Sequence, residues 1–395
     1  MNASTGPRSP APGSVGGPSP LGSVLLAGGG TAGHVNPLLA VAEELARRDG
    51  ATRLTVLGTA TGLEAELVPA RGLPLVLVPR VPLPRRPTPD WFRLPGRLLA
   101  AVRAAEQAIE SSGARVVVGF GGYVATPAYL AARRRGIPVV VHEANARPGL
   151  ANRAGARWAA AVGVTFPGTP LPRAQVVGMP LRAAIAGLVD RLVTEPAATR
   201  SSALVALGLA PDRPVVLVTG GSLGALRLNS AVADVGGDLV AAGAQVLHLT
   251  GAGKAGPVRA FVDAQPADVR AHYHVREYLT EMEQAYAAAA LVVCRSGAAT
   301  VSELAALGLP AVYVPLPIGN GEQRLNAAPV VSAGGGLLVD DADLTPGWLR
   351  TYLLPLLADG VALATMGRAA ASVGVRDGAA RVADLVEDAA RGVPR

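Results

Sequence analysis

One arrangement recurs in this chain and restricts its fold more than any other: a short β-branched strand runs straight into a glycine-rich turn and then into a helix. It appears first as Val24–Ala27, the turn Gly28-Gly29-Gly30-Thr31-Ala32-Gly33, and a helix read from about Val35. On that helix Leu38, Val41, Ala42 and Leu45 share one face. It appears again as Val215–Thr219, the turn Gly220-Gly221-Ser222-Leu223-Gly224, and a helix from Ala225 onward. Further strands are read at Leu54–Leu57, Leu75–Val78, Val116–Gly119, Val139–Val141 and Ala161–Val164, then at Gln245–Leu249, Leu291–Cys294, Ala311–Val314 and Leu337–Val339. They alternate with amphipathic stretches, the pattern of parallel α/β sheets. Two such openings far apart predict two facing, doubly wound, Rossmann-like domains with a cleft between them. The expected divisions are a disordered tail over 1–20, domains over 21–180 and 181–373, and a C-terminal helical segment over 374–395. The linker is expected within the poorly periodic stretch 179–213, and a closing helix over about Asp377–Arg391.

With 395 residues, half of them hydrophobic, the chain has ample material for two cores. The formal charge of +7 favours acidic partners such as nucleotide phosphates or anionic lipid. Nearly all of the basic residues are Arg, however, and no basic run interleaved with aromatics forms a nucleic-acid groove, so no nucleic-acid partner is expected. The single cysteine, Cys294, excludes an intrachain disulfide and implies a reducing compartment; in Leu291-Val292-Val293-Cys294 it reads as a buried strand residue. No secretory signal and no unbroken apolar stretch of ~20 residues is read, so the chain is expected to be soluble or to sit on a membrane surface. Between Pro79 and Arg103, six Arg residues mix with Trp91, Phe92, Leu94, Leu98 and Leu99, a composition suited to anionic headgroups.

A glycine-rich turn at a helix N-terminus offers backbone N–H groups and the positive end of the helix dipole, a site for a diphosphate that requires no metal. Gly28-x-Gly30-x-x-Gly33 also matches the dinucleotide fingerprint. That reading needs an acid at the end of the second strand, and Leu54–Leu57 leads into Gly58-Thr59-Ala60-Thr61 instead, which argues against a nicotinamide enzyme. Gly297 to Glu303 follows a strand and opens a helix; Glu303 is either a carboxylate complementing the helix dipole or a group for both ribose hydroxyls of a nucleotide. The polar run Gly319-Asn320-Gly321-Glu322-Gln323-Arg324-Leu325-Asn326 is either a plain loop or a set of partners for sugar hydroxyls. Asp341-Ala342-Asp343 reads as turn and cap chemistry, and His248, His272 and His274 have no metal-ligand spacing with carboxylates, so no metal site and no cofactor are expected.

Five segments occur in a telling order: Gly30-Thr31-Ala32-Gly33-His34, Gly119-Phe120-Gly121-Gly122-Tyr123, His142-Glu143-x-Asn145, Gly220-Gly221-Ser222-x-Gly224, and Cys294-Arg295-Ser296-Gly297 through Glu303. Their order and spacing resemble the MurG family, the UDP-N-acetylglucosamine transferases that complete the lipid-linked peptidoglycan precursor. The resemblance covers essentially everything after the tail. It implies a GT-B fold and an inverting, metal-independent transfer from UDP-N-acetylglucosamine to lipid I. It also implies an N-terminal acceptor domain on the cytoplasmic face of the membrane and a C-terminal donor domain. By position, donor contacts fall on Arg182, Ser222, Leu279, Ala298, Ala299, Thr300, Val301, Ser302 and Glu303, with Glu322 and Gln323 on the sugar hydroxyls. Thr31, Ala32, Gly33 and Asn145 face the reacting centre, and Tyr123 lies in a shared motif. Ala32 replaces a glycine and Glu322 a frequent glutamine. Related transferases on other glycolipids or natural products, and UDP-N-acetylglucosamine 2-epimerases, share this architecture.

Such a transfer needs a base near the attacking hydroxyl. His34 follows the first turn at a helix N-terminus, which favours neutral imidazole; Glu143 is the competing base. Loss of Glu303 is expected to raise the donor KM and leave folding intact.

Overall fold

The computed structural model describes residues 21–81, 90–221 and 224–392. The expected tail over 1–20 lies outside the described residues, as do Ser222, Arg85 and Arg86 and the side chains of Trp91, Phe92 and Arg93.

Seven parallel strands form the first sheet: β1 Ser23–Ala27, β2 Arg53–Gly58, β3 Leu75–Leu77, β4 Val116–Gly119, β5 Val139–Glu143, β6 Ala161–Val164 and β7 Ala174–Val176, in the order β3-β2-β1-β4-β5-β6-β7. Six make the second: β8 Val215–Thr219, β9 Gln245–Leu249, β10 Tyr273–Arg276, β11 Ala289–Cys294, β12 Ala311–Tyr313 and β13 Gly336–Leu338, in the order β10-β9-β8-β11-β12-β13. Their central strands are buried Val/Leu runs, as a sheet covered by helices on both faces requires. Strand order reverses between β1 and β4 in one sheet and between β8 and β11 in the other. Ala27 pairs with Gly119 and Thr219 with Cys294 at the carboxyl ends of those strands. A ligand crevice opens at each such point, and both glycine-rich turns leave from one.

Three details go beyond the sequence reading. The stretch 179–213, poorly periodic in sequence, forms the helices Ala183–Thr194 and Pro196–Leu207 after Arg182. These bury Ile185, Leu188, Leu204 and Leu207 in the C-terminal core. The edge strands β7 and β10 were not anticipated; both are short and mostly half-buried, without an unbroken apolar run. The first helix begins at Ala32 rather than Val35, because the Thr31 carbonyl already accepts the N–H groups of His34 and Val35. Cys294 is buried in β11, where desolvation pushes its thiol up, as its apolar context predicts.

The closing helix, Gly378–Arg391, returns to the N-terminal domain. Val382, Leu385 and Val386 pack with residues of β1, β2, β4 and β5. Arg48 fastens the helix from outside: Nη1 meets Asp384 at 2.7 Å and Glu387 at 3.0 Å, and Nη2 donates to the Ala380 carbonyl. Leu385→Ala should therefore destabilise a domain more than 200 residues away in sequence by about 2–4 kcal/mol. Urea unfolding followed at Trp158, with Trp91 and Trp348 replaced by Phe, checks this; an unchanged midpoint would remove the helix from that core.

Candidate active site

The loop after β1 and the loop after β4 meet backbone to backbone. A Cβ on Gly122 would stand 2.5 Å from the Gly29 carbonyl oxygen, and one on Gly121 would stand 3.2 Å from His34 Nε2. Both glycines have positive φ, +94° and +80°, so only glycine serves at either place. His34 is thus enclosed by the motif read as Gly119 to Tyr123. Its Nδ1 lies 3.2 Å from the Gly29 carbonyl and 3.2 Å from Thr31 Oγ1. A carbonyl only accepts, so Nδ1 carries the proton and Nε2 presents its lone pair. Burial lowers the His34 pKa from the ordinary imidazole value, with the Gly29 carbonyl, Glu143 and Glu64 opposing it. Desolvation, more than the helix dipole, keeps this imidazole neutral. Thr31, Ala32 and Gly33 form the accessible rim of the same turn, and Tyr123, exposed beside it, stacks under the Arg80 guanidinium at 5.1 Å.

Glu143, at the end of β5, is buried and already occupied. Oε1 accepts the Asn145 N–H at 2.9 Å; Oε2 accepts the Gly149 N–H and Asn152 Nδ2, each at 3.0 Å. Those bonds shape the loop that carries Asn145 toward the opposite domain. There Asn326, fully buried on the helix Glu322–Ser332, donates to Asn145 Oδ1 at 3.2 Å and accepts the Ala146 N–H at 2.9 Å. Arg147 Nη1 donates to the Asn320 carbonyl. Nothing within its polar run marks Asn326 out; only the fold places it beside the loop after β5.

In the second domain, Glu303 and Arg182 are one unit. Arg182 pairs with Glu303 Oε1 at 3.0 Å, and the Tyr286 hydroxyl donates to Oε2 at 3.0 Å. Burial pushes the Glu303 carboxyl up, while Arg182 and Tyr286 oppose the shift. Ala299, Thr300 and Ser302 are half-buried on the same helix, Ala298–Leu307, whereas Ala298 and Val301 belong to the core. The Val301 N–H also closes the first turn on Gly297, so Val301 has little left to offer a ligand. Leu279 likewise buries its side chain in that core, leaving only its backbone. Glu322 folds back to accept the Asn320 N–H at 3.3 Å, whereas Gln323 Oε1 accepts the Leu316 N–H at 3.0 Å, which leaves the Gln323 NH2 group available. Asp341 is more than a turn residue: it holds Arg295 at 2.6 Å and Arg227 at 3.3 Å, tying the loop before Gly297 to the helix after the second glycine-rich turn.

Residues 24–164 match the glycosyltransferase family 28 N-terminal domain and residues 215–382 its C-terminal domain. The chain belongs to glycosyltransferase family 28. A relative from Clavibacter michiganensis, named UDP-N-acetylglucosamine--N-acetylmuramyl-(pentapeptide) pyrophosphoryl-undecaprenol N-acetylglucosamine transferase, is 58% identical over 94% of this chain and 97% of its own. One of the same name from Streptomyces coelicolor is 55% identical over 90% and 94%. The crystal structure of Acinetobacter baumannii MurG superimposes with a TM-score of 0.74 at 29% identity, covering 93% of this chain and 99% of that one. A structure described as a UDP-N-acetylglucosamine 2-epimerase from Listeria monocytogenes, 15% identical with a TM-score of 0.67, shares the family 28 chain's fold alone.

The Arg182–Glu303–Tyr286 contacts add a cost to the expected effect of losing Glu303. Glu303→Ala leaves a half-buried guanidinium and a buried hydroxyl unpaired, so the variant should fold with stability lowered by about 1–3 kcal/mol. In this family 28 enzyme Arg182→Ala and Glu303→Ala should each weaken UDP binding, and the double variant should bind UDP no worse than the weaker single. Calorimetric titration with UDP checks this; additive losses would make the two residues independent contacts.

Proposed function

We propose that this chain transfers N-acetylglucosamine from UDP-N-acetylglucosamine to lipid I, undecaprenyl-pyrophosphoryl-MurNAc-pentapeptide, producing lipid II and UDP in peptidoglycan synthesis. The observation that carries the reading is the identity above 50%, over nine-tenths of the chain, to relatives named for that transfer. The site supplies the chemistry. The acceptor hydroxyl gives its proton to His34 Nε2 as its oxygen bonds the anomeric carbon from the face opposite UDP. The bond from that carbon to the phosphate oxygen breaks, the electron pair leaves on UDP, and the configuration inverts. The turn Gly220–Gly224 and the start of the helix Leu226–Ala233 offer positive potential to the departing diphosphate. The Arg182–Glu303 unit serves the nucleotide, Gln323 serves the sugar hydroxyls, and Thr31, Ala32, Gly33 and Asn145 border the reacting centre. The assignment of the base to His34 rather than Glu143 rests on hydrogen bonding: Glu143 already accepts from three donors.

Labelled UDP-N-acetylglucosamine with lipid I should yield a labelled disaccharide lipid; UDP-sugar consumption without acceptor would indicate epimerase chemistry instead. His34→Ala should lower kcat by at least ~10²-fold with UDP affinity nearly unchanged. A variant retaining most of its kcat, beside an inactive Glu143→Ala, would give the role to Glu143. In the parent enzyme kcat should fall as pH drops through a value below the ordinary imidazole range, since a protonated Nε2 cannot accept.

The acceptor's lipid places the reaction at a membrane, on its cytoplasmic face where UDP-sugars are available. Among the described residues no single helix is long and apolar enough to cross a bilayer. We therefore propose peripheral docking through the N-terminal domain, where Leu77 and Leu99 are exposed and Arg80, Arg97 and Arg103 lie nearby in sequence. Each Arg near an anionic surface contributes ~1 kcal/mol. The protein should sediment with anionic vesicles and less so in high salt; equal binding to neutral vesicles would exclude this mode.

A further inference from the structure

Behind the first glycine-rich turn lies a carboxylate that the transfer itself does not call for. Glu64, at the start of the short helix Glu64–Leu67, is fully buried. Its Oε1 accepts the Thr59 N–H at 2.9 Å and the Thr59 hydroxyl at 2.7 Å, and its Oε2 accepts the Gly30 N–H at 2.8 Å. The space it occupies is made by glycine: a Cβ on Gly29, Gly58 or Gly62 would stand 2.4, 2.6 or 2.0 Å from its atoms. Burial pushes the Glu64 carboxyl up, but the bonds from Gly30 and Thr59 outweigh it and hold the group below the ordinary carboxylate value, so it is ionised at neutral pH.

The Gly30 N–H and the Gly29 carbonyl belong to one peptide group, and no peptide bond among the described residues is cis. In a trans peptide these two groups point in opposite directions. One end of the group meets Glu64 and the other accepts from His34 Nδ1 at 3.2 Å. Carboxylate, peptide and imidazole thus stand in a line, with Nε2 at the far end facing Gly121. We propose that Glu64 is a positioning residue for the base, acting on His34 through the Gly29–Gly30 peptide group to fix the Nδ1–H tautomer and strengthen Nε2 as a proton acceptor. A carboxylate that accepts from an amide N–H polarises the amide and makes its carbonyl a better acceptor. The logic is that of a carboxylate orienting a histidine in a hydrolytic triad, with a peptide group interposed. Other groups bear on His34. Glu143 acts from the end of β5, the loop after β4 sets Gly121 and Gly122 against the ring near the neutral Asn152 amide, and Arg80 and Tyr123 line the pocket that opens on Gly29 and Gly30.

The inference rests on His34 as the base, and the test separates the two. In the full chain, Glu64→Gln keeps the volume the glycines leave and removes the charge. It should lower kcat roughly 10–100-fold while UDP affinity, a property of the other domain, stays within about twofold. Glu64 raises the His34 pKa, so its loss should move the acid limb of the kcat profile to lower pH. The variant His34→Ala/Glu64→Gln should be no slower than His34→Ala alone. Additive losses with an unmoved acid limb would reduce Glu64 to a support for the loop and overturn the proposal. A His34→Ala enzyme with most of its kcat would instead remove the base reading itself. Should Glu64→Gln not fold, the parent enzyme decides: ¹⁵N shifts of His34 must show protonated Nδ1 and unprotonated Nε2, and the opposite tautomer overturns the relay.

Discussion

Glycines let the chain pack tightly on itself where it crosses between the domains, and the geometry of the cleft depends on that contact. The chain leaves the first domain at Gly178 and returns before Gly378. A Cβ on Gly178 would stand 2.4 Å from the Val375 side chain, and one on Gly378 would stand 2.4 Å from the Met179 carbonyl oxygen. The outgoing and returning strands of chain therefore lie side by side with no room for a methyl group. His142, buried next to Glu143, donates Nε2–H to the Gly178 carbonyl at 3.0 Å, and this bond joins the crossing to the strand that ends at the site. Burial lowers the His142 pKa to about 4. Its neutral form is preferred in the folded chain, so the stability it contributes is present above the ordinary imidazole value and is lost as pH falls toward 4.

With the rear of the cleft set in this way, its open side needs contacts that can break. Asn326 supplies them. One buried amide joins Asn145 and the Ala146 N–H from the first domain and reaches the Ser296 carbonyl of its own domain at 3.4 Å. A buried amide is tolerated only when its donors and acceptors are met, so separating the domains there leaves groups that water must satisfy. An apolar contact in the same place would leave nothing for water to replace, whereas these hydrogen bonds can be exchanged for bonds to water. The rear of the cleft combines tight glycine packing with the buried His142–Gly178 hydrogen bond.

The parts of this arrangement legible in the sequence are those in which local pattern and fold coincide. Val24–Ala27 and Val215–Thr219 are buried on both faces, so their apolar runs are unbroken, and the turns that follow must be glycine-rich because backbone approaches backbone. The edge strands β7 and β10 left no such mark, since a partly exposed strand tolerates Gln175 or His274. The helix Ala183–Thr194 carries Ile185, Leu188 and Val189 on one face, but the Ala and Gly residues between them blur its period. Within the site, His34 and Glu303 could be found because each adjoins a recognisable turn. Glu64 could not: it lies in an ordinary acidic stretch, and what distinguishes it is the emptiness of Gly29, Gly58 and Gly62 around it. That Arg182 and Glu303 pair was equally hidden, since they lie in different motifs and meet only when two elements pack.

The two glycine-rich turns look alike in sequence and differ in what they do with their donors. In the first, the Gly30 N–H is committed to an internal carboxylate, so the turn that matches the dinucleotide fingerprint is not a vacant anion cradle. The negative charge lodged behind it opposes a second anion at the same spot, and what the turn presents outward is an imidazole lone pair. The second turn contains no such carboxylate among its described residues. The Gly221 N–H turns back to Thr219 Oγ1 at 3.2 Å and the Gly224 N–H to the Gly221 carbonyl at 2.8 Å, after which the helix Leu226–Ala233 begins. That turn leads into a helix N-terminus, whose positive dipole end suits an incoming diphosphate, and the nearby Asp341 is itself held by Arg227 and Arg295. A single backbone device, used twice at equivalent points of two similar sheets, thus carries an imidazole on one side of the cleft and a helix N-terminus on the other. The difference comes from one buried acid, and it agrees with the proposed transfer, in which the hydroxyl gives its proton to the first domain and the diphosphate departs toward the second.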